Sequence, residues 1–537
     1  MKFKTLYILA IFALGFISAR AASSYDKLLY AISAIDRGYV DDVDTDTLTT
    51  EAIVAMLKTL DPHSSYTDAE ETKELTQPLD GKFSGIGIQF SIVKDTVYVV
   101  QTTVGGPSEK AGIRPGDRIL YVNDSLFTHP KMVNSEVLKT LRGPKGTKVD
   151  LKVKRGEQLI DFSLRRDDIP IYSVDAVYMA DPTTGYIRVS RFAESTPEEV
   201  DNAIKRLKKQ GMRNLIIDLE DNGGGYLGAG VGLASQFLSP GDIVVSTRGR
   251  AYPERVFKVT DRYNNGDIDR LVVMVNQYSA SASEIFSGAI QDHDRGVIVG
   301  RRTFGKGLVQ TPIPFPDGSM MRLTTARYYI PSGRLIQKEY AKGHSEEYQL
   351  DMLTRLRSGE LFSADSIHLD KTKEYHTLRN GRVVYGGGGI MPDVFVPVDT
   401  SLYSTYYRDL TAKGVFNTFV LNYIEKNRKN LLKTYPTEDS FHNGFEVGQE
   451  LLDGLIAAGE EEGVTFNEEG FNTSCDLLTG VIKGLMARDL YDNGVYARAV
   501  NRLNPVFTEA LSIINDPERY NQLLGVPKEP EEIFIFD

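Results

Sequence analysis

Between residues 24 and 75 apolar side chains recur at Leu28, Leu29, Ile32 and Ile35, and again at Ile53, Met56, Leu57 and Leu60. These are the i, i+3, i+4 and i+7 spacings of amphipathic helices. Asp61-Pro62-His63-Ser64-Ser65-Tyr66 then ends the second helix with a proline-bearing turn. From 81 to 166 the pattern shortens to strands, at 97–100, 118–122 and 149–153, punctuated by glycine. From 170 to 400 strands alternate with helices: a strand over 214–219, a helix over 231–237, a strand over 271–276 and a helix over 282–291. That order predicts an α/β sheet. Four glycines at 386–389 read as a turn into a strand over 393–397. Residues 403–526 are helical again, with amphipathic helices expected over 403–424, 445–459 and 475–486.

Composition narrows the chemistry. The chain has 537 residues, 41% of them hydrophobic and 25% charged, an ordinary globular balance. At roughly 150 residues per domain, that length predicts three or four domains. One cysteine excludes an intrachain disulfide, and seven scattered histidines without an HExxH argue against a zinc enzyme. No metal or other cofactor is expected. The net charge of −11 argues against a general nucleic-acid binder.

Residues 1–21 carry Lys2 and Lys4, a 12-residue apolar run over 6–17 and an A-x-A site at Ala19-Arg20-Ala21. The run is short of the ~20 residues that span a bilayer. It reads as a cleaved signal peptide, with an uncleaved anchor helix as the alternative. The mature protein is therefore expected to be exported, periplasmic and soluble, with at most peripheral membrane contact.

Gly81-Lys82-Phe83-Ser84-Gly85-Ile86-Gly87-Ile88 places two glycines around one apolar residue. Such a turn can gather backbone N–H groups into a nest for a carboxylate, and the strand after it can pair with an extended peptide. Downstream, Ser108 to Ile119 follow S-x-x-A-G-[IL]-x-x-G-D-x-I, ahead of Val122-Asn123. Together these resemble a PDZ domain of bacterial type. The resemblance implies capture of a peptide C-terminus, with Phe83, Gly85, Ile86, Gly87 and Ile88 at the pocket.

Three further segments concern chemistry. Residues 271–286 read as a buried strand, a small-residue turn (Ser279-Ala280-Ser281-Ala282-Ser283) and a helix. A serine there can be exposed beside helix N-terminal N–H groups, although serine at a helix start is also a preferred cap. Thr303-Phe304-Gly305-Lys306-Gly307 sets a lysine between glycines after a strand; Gly307 stands where a Walker motif needs Ser or Thr. The apolar run 215–219 ends near Gly223-Gly224-Gly225, a turn able to present a backbone N–H.

Taken together, S-A-S-A-S-E-I, Q-D, T-F-G-K-G-x-V-Q, the upstream N-G-G-G and the PDZ pattern resemble the carboxy-terminal processing (tail-specific) protease family. The likeness extends over roughly residues 25–398, with DPHSSY and the G-G-I-x-P-D stretch as further landmarks. The resemblance implies a serine endopeptidase. Ser281 would be the nucleophile, Lys306 the base and Gln310 the residue that orients it. Ala282 and Gly224 would supply the oxyanion hole. Asp292 matches an acidic position of some members, and its role, catalytic or structural, is left open.

The implied architecture is α/β and multidomain. A signal peptide (1–21) precedes an N-terminal helical region (22–80), an inserted PDZ β-barrel (81–168), a crotonase-like protease core (169–400) and a helical C-terminal domain (401–537). Expected partners are polypeptides, held by their C-terminal tails. The last domain would brace the core or provide a homo-oligomer or adaptor contact.

The rival readings are a catalytically silent peptide-binding scaffold on the same fold, and a hydrolase of small esters or apolar ligands. A His-based triad is disfavoured, since His293 lies twelve residues from Ser281 along one helix, roughly 18 Å at 1.5 Å per residue. His63 reads as a hydrogen-bonded structural residue and Cys475 as a small buried apolar one. The apolar terminus at 533–537 would add a strand to a sheet edge or occupy the PDZ groove.

Overall fold

The computed structural model describes residues 24–93, 95–260, 265 and 267–527. The leader expected over 1–21 and the apolar terminus at 533–537 lie outside the described residues. The chain divides into two units. One comprises the N-terminal residues through Ala69 with 310–324 and 340–349; the other holds the remainder.

In the first unit, helices α1 (Ser24–Gly38) and α2 (Thr45–Lys58) precede a short strand, β1 (Ser65–Thr67). Asp44 caps α2, its carboxylate accepting the N–H groups of Asp46 and Thr47. β1 runs antiparallel to residues 320–322 of the strand Met320–Tyr329. The turn between α2 and β1 is built on Asp61. Its carboxylate accepts the N–H groups of His63 and Ser64, each at 2.9 Å, and the hydroxyls of Ser64 at 2.6 Å and Thr324 at 2.9 Å. Burial alone would raise the Asp61 pKa, but these hydrogen bonds outweigh it and hold the carboxyl below its usual value. His63 Nε2 lies 2.8 Å from the Tyr348 hydroxyl, a structural hydrogen bond of the kind the turn called for.

The second unit begins with the glycine-punctuated segment. β2 (Lys82–Gly85) pairs with β8 (Asp167–Pro170). Between them lies an antiparallel sheet in the order β3 (Ile88–Val93), β4 (Thr96–Thr102), β5 (Arg118–Val122), β6 (Lys148–Arg155), β7 (Gln158–Arg165). Alternate side chains Val97, Val99, Ile119, Val149, Leu151 and Val153 turn inward and pack on Val137 and Leu141 of α3 (Asn134–Leu141). β3 is an edge strand of this sheet.

The α/β core is a six-stranded sheet in the order β9 (Val174–Met179), β10 (Thr184–Val189), β11 (Asn214–Asp218), β12 (Leu271–Val275), β13 (Val297–Gly300), β14 (Val394–Phe395). Only the β9–β10 pair is antiparallel. Leu215, Ile217, Val273 and Ile298 face α4 (Thr196–Lys208), α5 (Leu227–Ala234) and α6 (Ala282–Asp292). Ile216, Val272, Met274 and Val299 face the other way, onto Val506, Phe507, Ile513 and Tyr520. Coverage on both faces explains why β11 and β12 are buried throughout and lack polar alternation.

The expected helices differ in extent: 445–459 is Gln449–Glu461 and 475–486 lies within Glu468–Leu490. The helix placed at 231–237 spans Leu227–Ala234 instead. Its glycines permit close packing: a Cβ on Gly230 would meet the Ala282 carbonyl at 3.1 Å, and one on Gly232 would meet Pro197 at 2.8 Å. The helix expected over 403–424 is two, α7 (Thr405–Ala412) and α8 (Val415–Thr434), broken at Gly414, whose φ of 68° is left-handed. They pack with α9 (Gln449–Glu461) and α10 (Glu468–Leu490) around Leu410, Phe416, Phe441, Leu455 and Ile482. Cys475, expected to be buried, is half-buried on α10. The chain then turns through α11 (Asn493–Val500) into α12 (Pro505–Ile514) and α13 (Pro517–Leu523), which supply the second face of the core sheet. Among the described residues no helix is long and apolar enough to cross a membrane.

His442, on the helix Glu438–Gly444, generates a pH prediction. Burial first, then the cations Arg498 and Lys483, hold its imidazole down at about 4. The unfolded chain takes that proton near the usual value of about 6.5. More protons therefore bind the unfolded state between these values, so His442 makes stability fall as pH drops through that window. The thermal midpoint should fall less steeply from pH 6.5 to pH 4 in His442→Gln than in wild type; equal slopes would count against this.

Candidate active site

The turn after β12 separates its three serines by role. Ser279 Oγ donates to the Leu219 carbonyl at 2.7 Å, and Ser283 Oγ to the Asn222 carbonyl at 2.8 Å. Both tie the turn to the neighbouring β11 loop. Ser281, between them and only half-buried, sits at φ 57° and ψ −111°. A non-glycine residue there is strained, and such strain persists only where the surroundings over-determine it.

What over-determines it is Glu284, the third residue of α6. Its side chain is fully buried, and the carboxylate accepts the Ser281 N–H at 2.8 Å, Lys306 N–H at 2.9 Å, Gly305 N–H at 2.7 Å and Thr303 Oγ at 2.6 Å. Burial pushes its pKa up, while the hydrogen bonds pull the other way. All three backbone donors need an ionised or otherwise open acceptor oxygen. One carboxylate thus holds the serine turn and the lysine loop. On their other side the Tyr328 hydroxyl reaches the carbonyls of both Ser281, at 3.3 Å, and Lys306. The Phe304 N–H also donates to the Ser279 carbonyl at 3.0 Å. Ser281 and Lys306 are therefore neighbours through their backbones.

Glycine flanks of the lysine are required by close approach. A Cβ on Gly307 would meet the Gln337 N at 2.8 Å, and Gly305, at φ 87°, lies against Gly388 and Gly389. The four-glycine run is thus a wall of the lysine loop as well as a turn. Gln310 lies half-buried on the strand Leu308–Pro314 and belongs to the first unit.

The β11 turn closes the site from the side. Gly224, at φ 96°, is pressed on the serine turn: a Cβ would meet the Ala280 carbonyl at 2.6 Å and Ser281 Cβ at 2.8 Å. Asn222 holds it there. Its side chain donates to the Val189 carbonyl at 2.7 Å, and its own carbonyl accepts the Ala280 N–H at 3.0 Å. Asn222 Oδ1 also accepts the Gly224 N–H at 2.9 Å. Proximity to Ser281 therefore agrees with the expectation for Gly224, but an open N–H does not: the Asx turn engages it. Ala282 opens α6, fully buried beside Ser281.

Asp292 is tied into the fold by a buried ion pair. It lies at the far end of α6, wholly buried, and accepts Arg334 Nη2 at 2.8 Å and the Ser332 N–H at 2.8 Å. His293 caps the same end, its Nε2 lying 2.8 Å from the Ile243 carbonyl.

In the peptide-binding segment, Gly87 has φ 73°, and a Cβ there would strike Ile169 at 2.9 Å. Ile86 is buried, Ile88 and Phe83 half-buried, and Gly85 lies against the Phe83 ring. The Arg142 guanidinium sits 4.4 Å above that ring. Of the five expected pocket residues, Phe83 and Ile88 line one cleft, whereas Ile86 packs into the core of the domain.

Sequence reasoning did not find Glu284, Tyr328 or Asn222. Ser281-x-x-Glu284 has capping-box spacing, a signal for the first. Asn222 stands in the N-G-G-G motif, where an Asx turn was readable, whereas Tyr328 acts through tertiary hydrogen bonds that no local pattern announces.

Comparison with known proteins now adds a second line of evidence. Residues 183–346 match the model of peptidase family S41, residues 84–165 that of the PDZ domain, and residues 406–492 a family of unknown function. A CtpA-like serine protease of Staphylococcus epidermidis is 35% identical over 314 residues, covering 58% of this chain and 62% of the relative. One from Staphylococcus aureus strain N315 is 33% identical over 330 residues, covering 61% and 65%. The chain thus spans less than two-thirds of the length of these two relatives. A solved structure, the photosystem II D1 C-terminal processing protease, is 30% identical, with 57% of this chain and 89% of that one covered and a TM-score of 0.32. Residues 183–346 thus form a peptidase family S41 domain and residues 84–165 a PDZ domain, an arrangement that supports a carboxy-terminal processing protease similar to the CtpA-like serine proteases.

Proposed function

We propose that this chain is an exported, periplasmic serine endopeptidase that captures polypeptide C-terminal tails on its PDZ domain and cleaves through a Ser281–Lys306 dyad. The observation that carries the reading is the convergence of a strained serine turn and a lysine loop on the one buried carboxylate of Glu284. A serine hydroxyl is a weak nucleophile without a base. Lysine, ordinarily near pKa 10.4, serves as one once its charged form is disfavoured by desolvation.

In this reading Lys306 takes the Ser281 proton as Oγ attacks the scissile carbonyl, then gives it to the leaving amine. Water hydrolyses the acyl-enzyme by the reverse route. Gln310 orients the lysine. The Ala282 N–H, at a helix start, stabilises the oxyanion. A second donor comes from the Gly224 turn once that N–H leaves Asn222. Phe83, Gly85, Ile86, Gly87 and Ile88 hold the tail.

Ser281→Ala and Lys306→Ala should each lower kcat on a peptide with an apolar C-terminus by at least about a thousandfold while the fold is retained. Substantial turnover by either purified variant would sink the dyad, and no turnover by the wild type would favour the silent-scaffold alternative.

Glu284→Gln sets an amide NH2 against backbone N–H donors. It should lower kcat about a hundredfold with a much smaller change in KM, because the reacting groups are misplaced; an unchanged kcat would show that Glu284 does not position them.

Gly224→Ala forces a Cβ into the serine turn from a left-handed backbone. It should abolish activity and lower the thermal midpoint, whereas wild-type values of both would argue against this packing.

A further inference from the structure

β4 carries apolar side chains on both faces. Val97 and Val99 point into the core of the PDZ domain, so Tyr98 and Val100 face outward. That outer face is covered by the helical segment of unknown family function. Val93 and Val100 are buried against Leu421 of α8, with Tyr98 packed alongside. Polar contacts frame the patch. Arg118 Nη2 lies 2.5 Å from Glu425 Oε2, four residues on from Leu421 along α8, and its guanidinium stacks 4.8 Å over the Tyr98 ring. Gln101 Nε2 donates to the Arg488 carbonyl at 2.5 Å and to that of Tyr491 at 2.8 Å. Those carbonyls belong to the last turn and C-cap of α10, where a helix leaves its acceptors unpaired.

The same polypeptide continues directly onto the protease core. α11 follows α10 and lies along β9, the antiparallel edge strand, and Asn501 Nδ2 donates to the Tyr178 hydroxyl at 2.7 Å. One continuous helical stretch therefore grips the PDZ sheet at residues 488–491 and the core at 493–501. The three parts enclose a cleft of about 1090 Å³, lined by Ile88 and Gln89 of the PDZ edge strand, Val177 and Arg191 of the core, and Glu438 and Asp492 of the helical segment. Arg191 precedes Phe192, whose N–H donates to the Gly224 carbonyl at 2.9 Å. Arg191 of the cleft wall is thus one residue from the segment bonded to the Gly224 turn.

We propose that residues 406–492 are a docking platform for the chain's own PDZ domain, fixing its peptide-pairing strand at the mouth of this cleft so that a captured tail is delivered to the protease core. The docking is a property of the fold; its effect on cleavage rests on the proteolytic reading above.

The chain has no tryptophan, so Tyr98→Trp in the full chain places a single emitter in the dock. Glu425→Arg, which sets like charges against Arg118, should shift that emission to longer wavelength. Leu421→Ala should shift it the same way. Adding Arg118→Glu to Glu425→Arg should return it. In parallel, kcat/KM is measured for a peptide with a free apolar C-terminus and for the same peptide amidated. The preference for the free tail should fall about tenfold in Glu425→Arg and recover in the charge-swapped pair, with cleavage of the amidated peptide unchanged. An unmoved emission, or an unmoved tail preference in a variant whose emission has shifted, overturns the proposal. Failure of the parent Tyr98→Trp chain to cleave either peptide counts against the proteolytic reading alone, because the emission still judges the dock.

Discussion

A carboxylate buried without a cation must be met by other donors, or it costs several kcal/mol. Glu284 is met by three backbone N–H groups and a hydroxyl, and satisfying it fixes the rest of the site. The donors come from two loops that leave adjacent parallel strands, so the carboxylate sets their separation. The left-handed backbone of Ser281 is tolerated because its N–H is held there. The glycines around Lys306 are required by the neighbours this places against the loop, Gln337 at Gly307 and Gly388 with Gly389 at Gly305. Tyr328 and Asn222 close the arrangement from two further sides.

Much of this was legible because short-range periodicity and burial coincide. β12 is buried on both faces, and its run of five apolar residues reads as such. The PDZ segment announces itself through glycines that its turns need, Gly87 among them. Ser281, Lys306 and the surrounding turns were found by resemblance and by the logic of small residues at a strand end. Three kinds of feature were hidden. Gly230 and Gly232 in Leu227–Ala234 serve close packing against Ala282 and Pro197, which apolar period does not report. Gly414 looked like an ordinary helical position but divides two helices. Asp292, ambiguous in the sequence, is paired with Arg334, forty-two residues away, a partner no local pattern names.

The C-terminal third answers to two different constraints. Residues 405–490 build their own core of Leu410, Phe416, Phe441 and Ile482, and an apolar helical face on a neighbouring sheet. Residues 505–523 have no such independence: Val506, Phe507, Ile513 and Tyr520 are one side of the protease sheet itself. The sequence reads as uniformly helical across both, since amphipathic period reports that a face is buried and not against what.

The second layer of the core has a consequence for biosynthesis. The Tyr520 hydroxyl is hydrogen-bonded to both the N–H and the carbonyl of Leu271, 249 positions earlier, at 3.1 Å each. Leu271 begins the strand that ends at the serine turn. Until residues 505–524 have left the ribosome, one face of that strand is bare and its first backbone groups lack this partner. Contacts of such long sequence separation form late. A chain cut before residue 505 therefore carries the serine turn on a sheet that lacks one of its two covering layers.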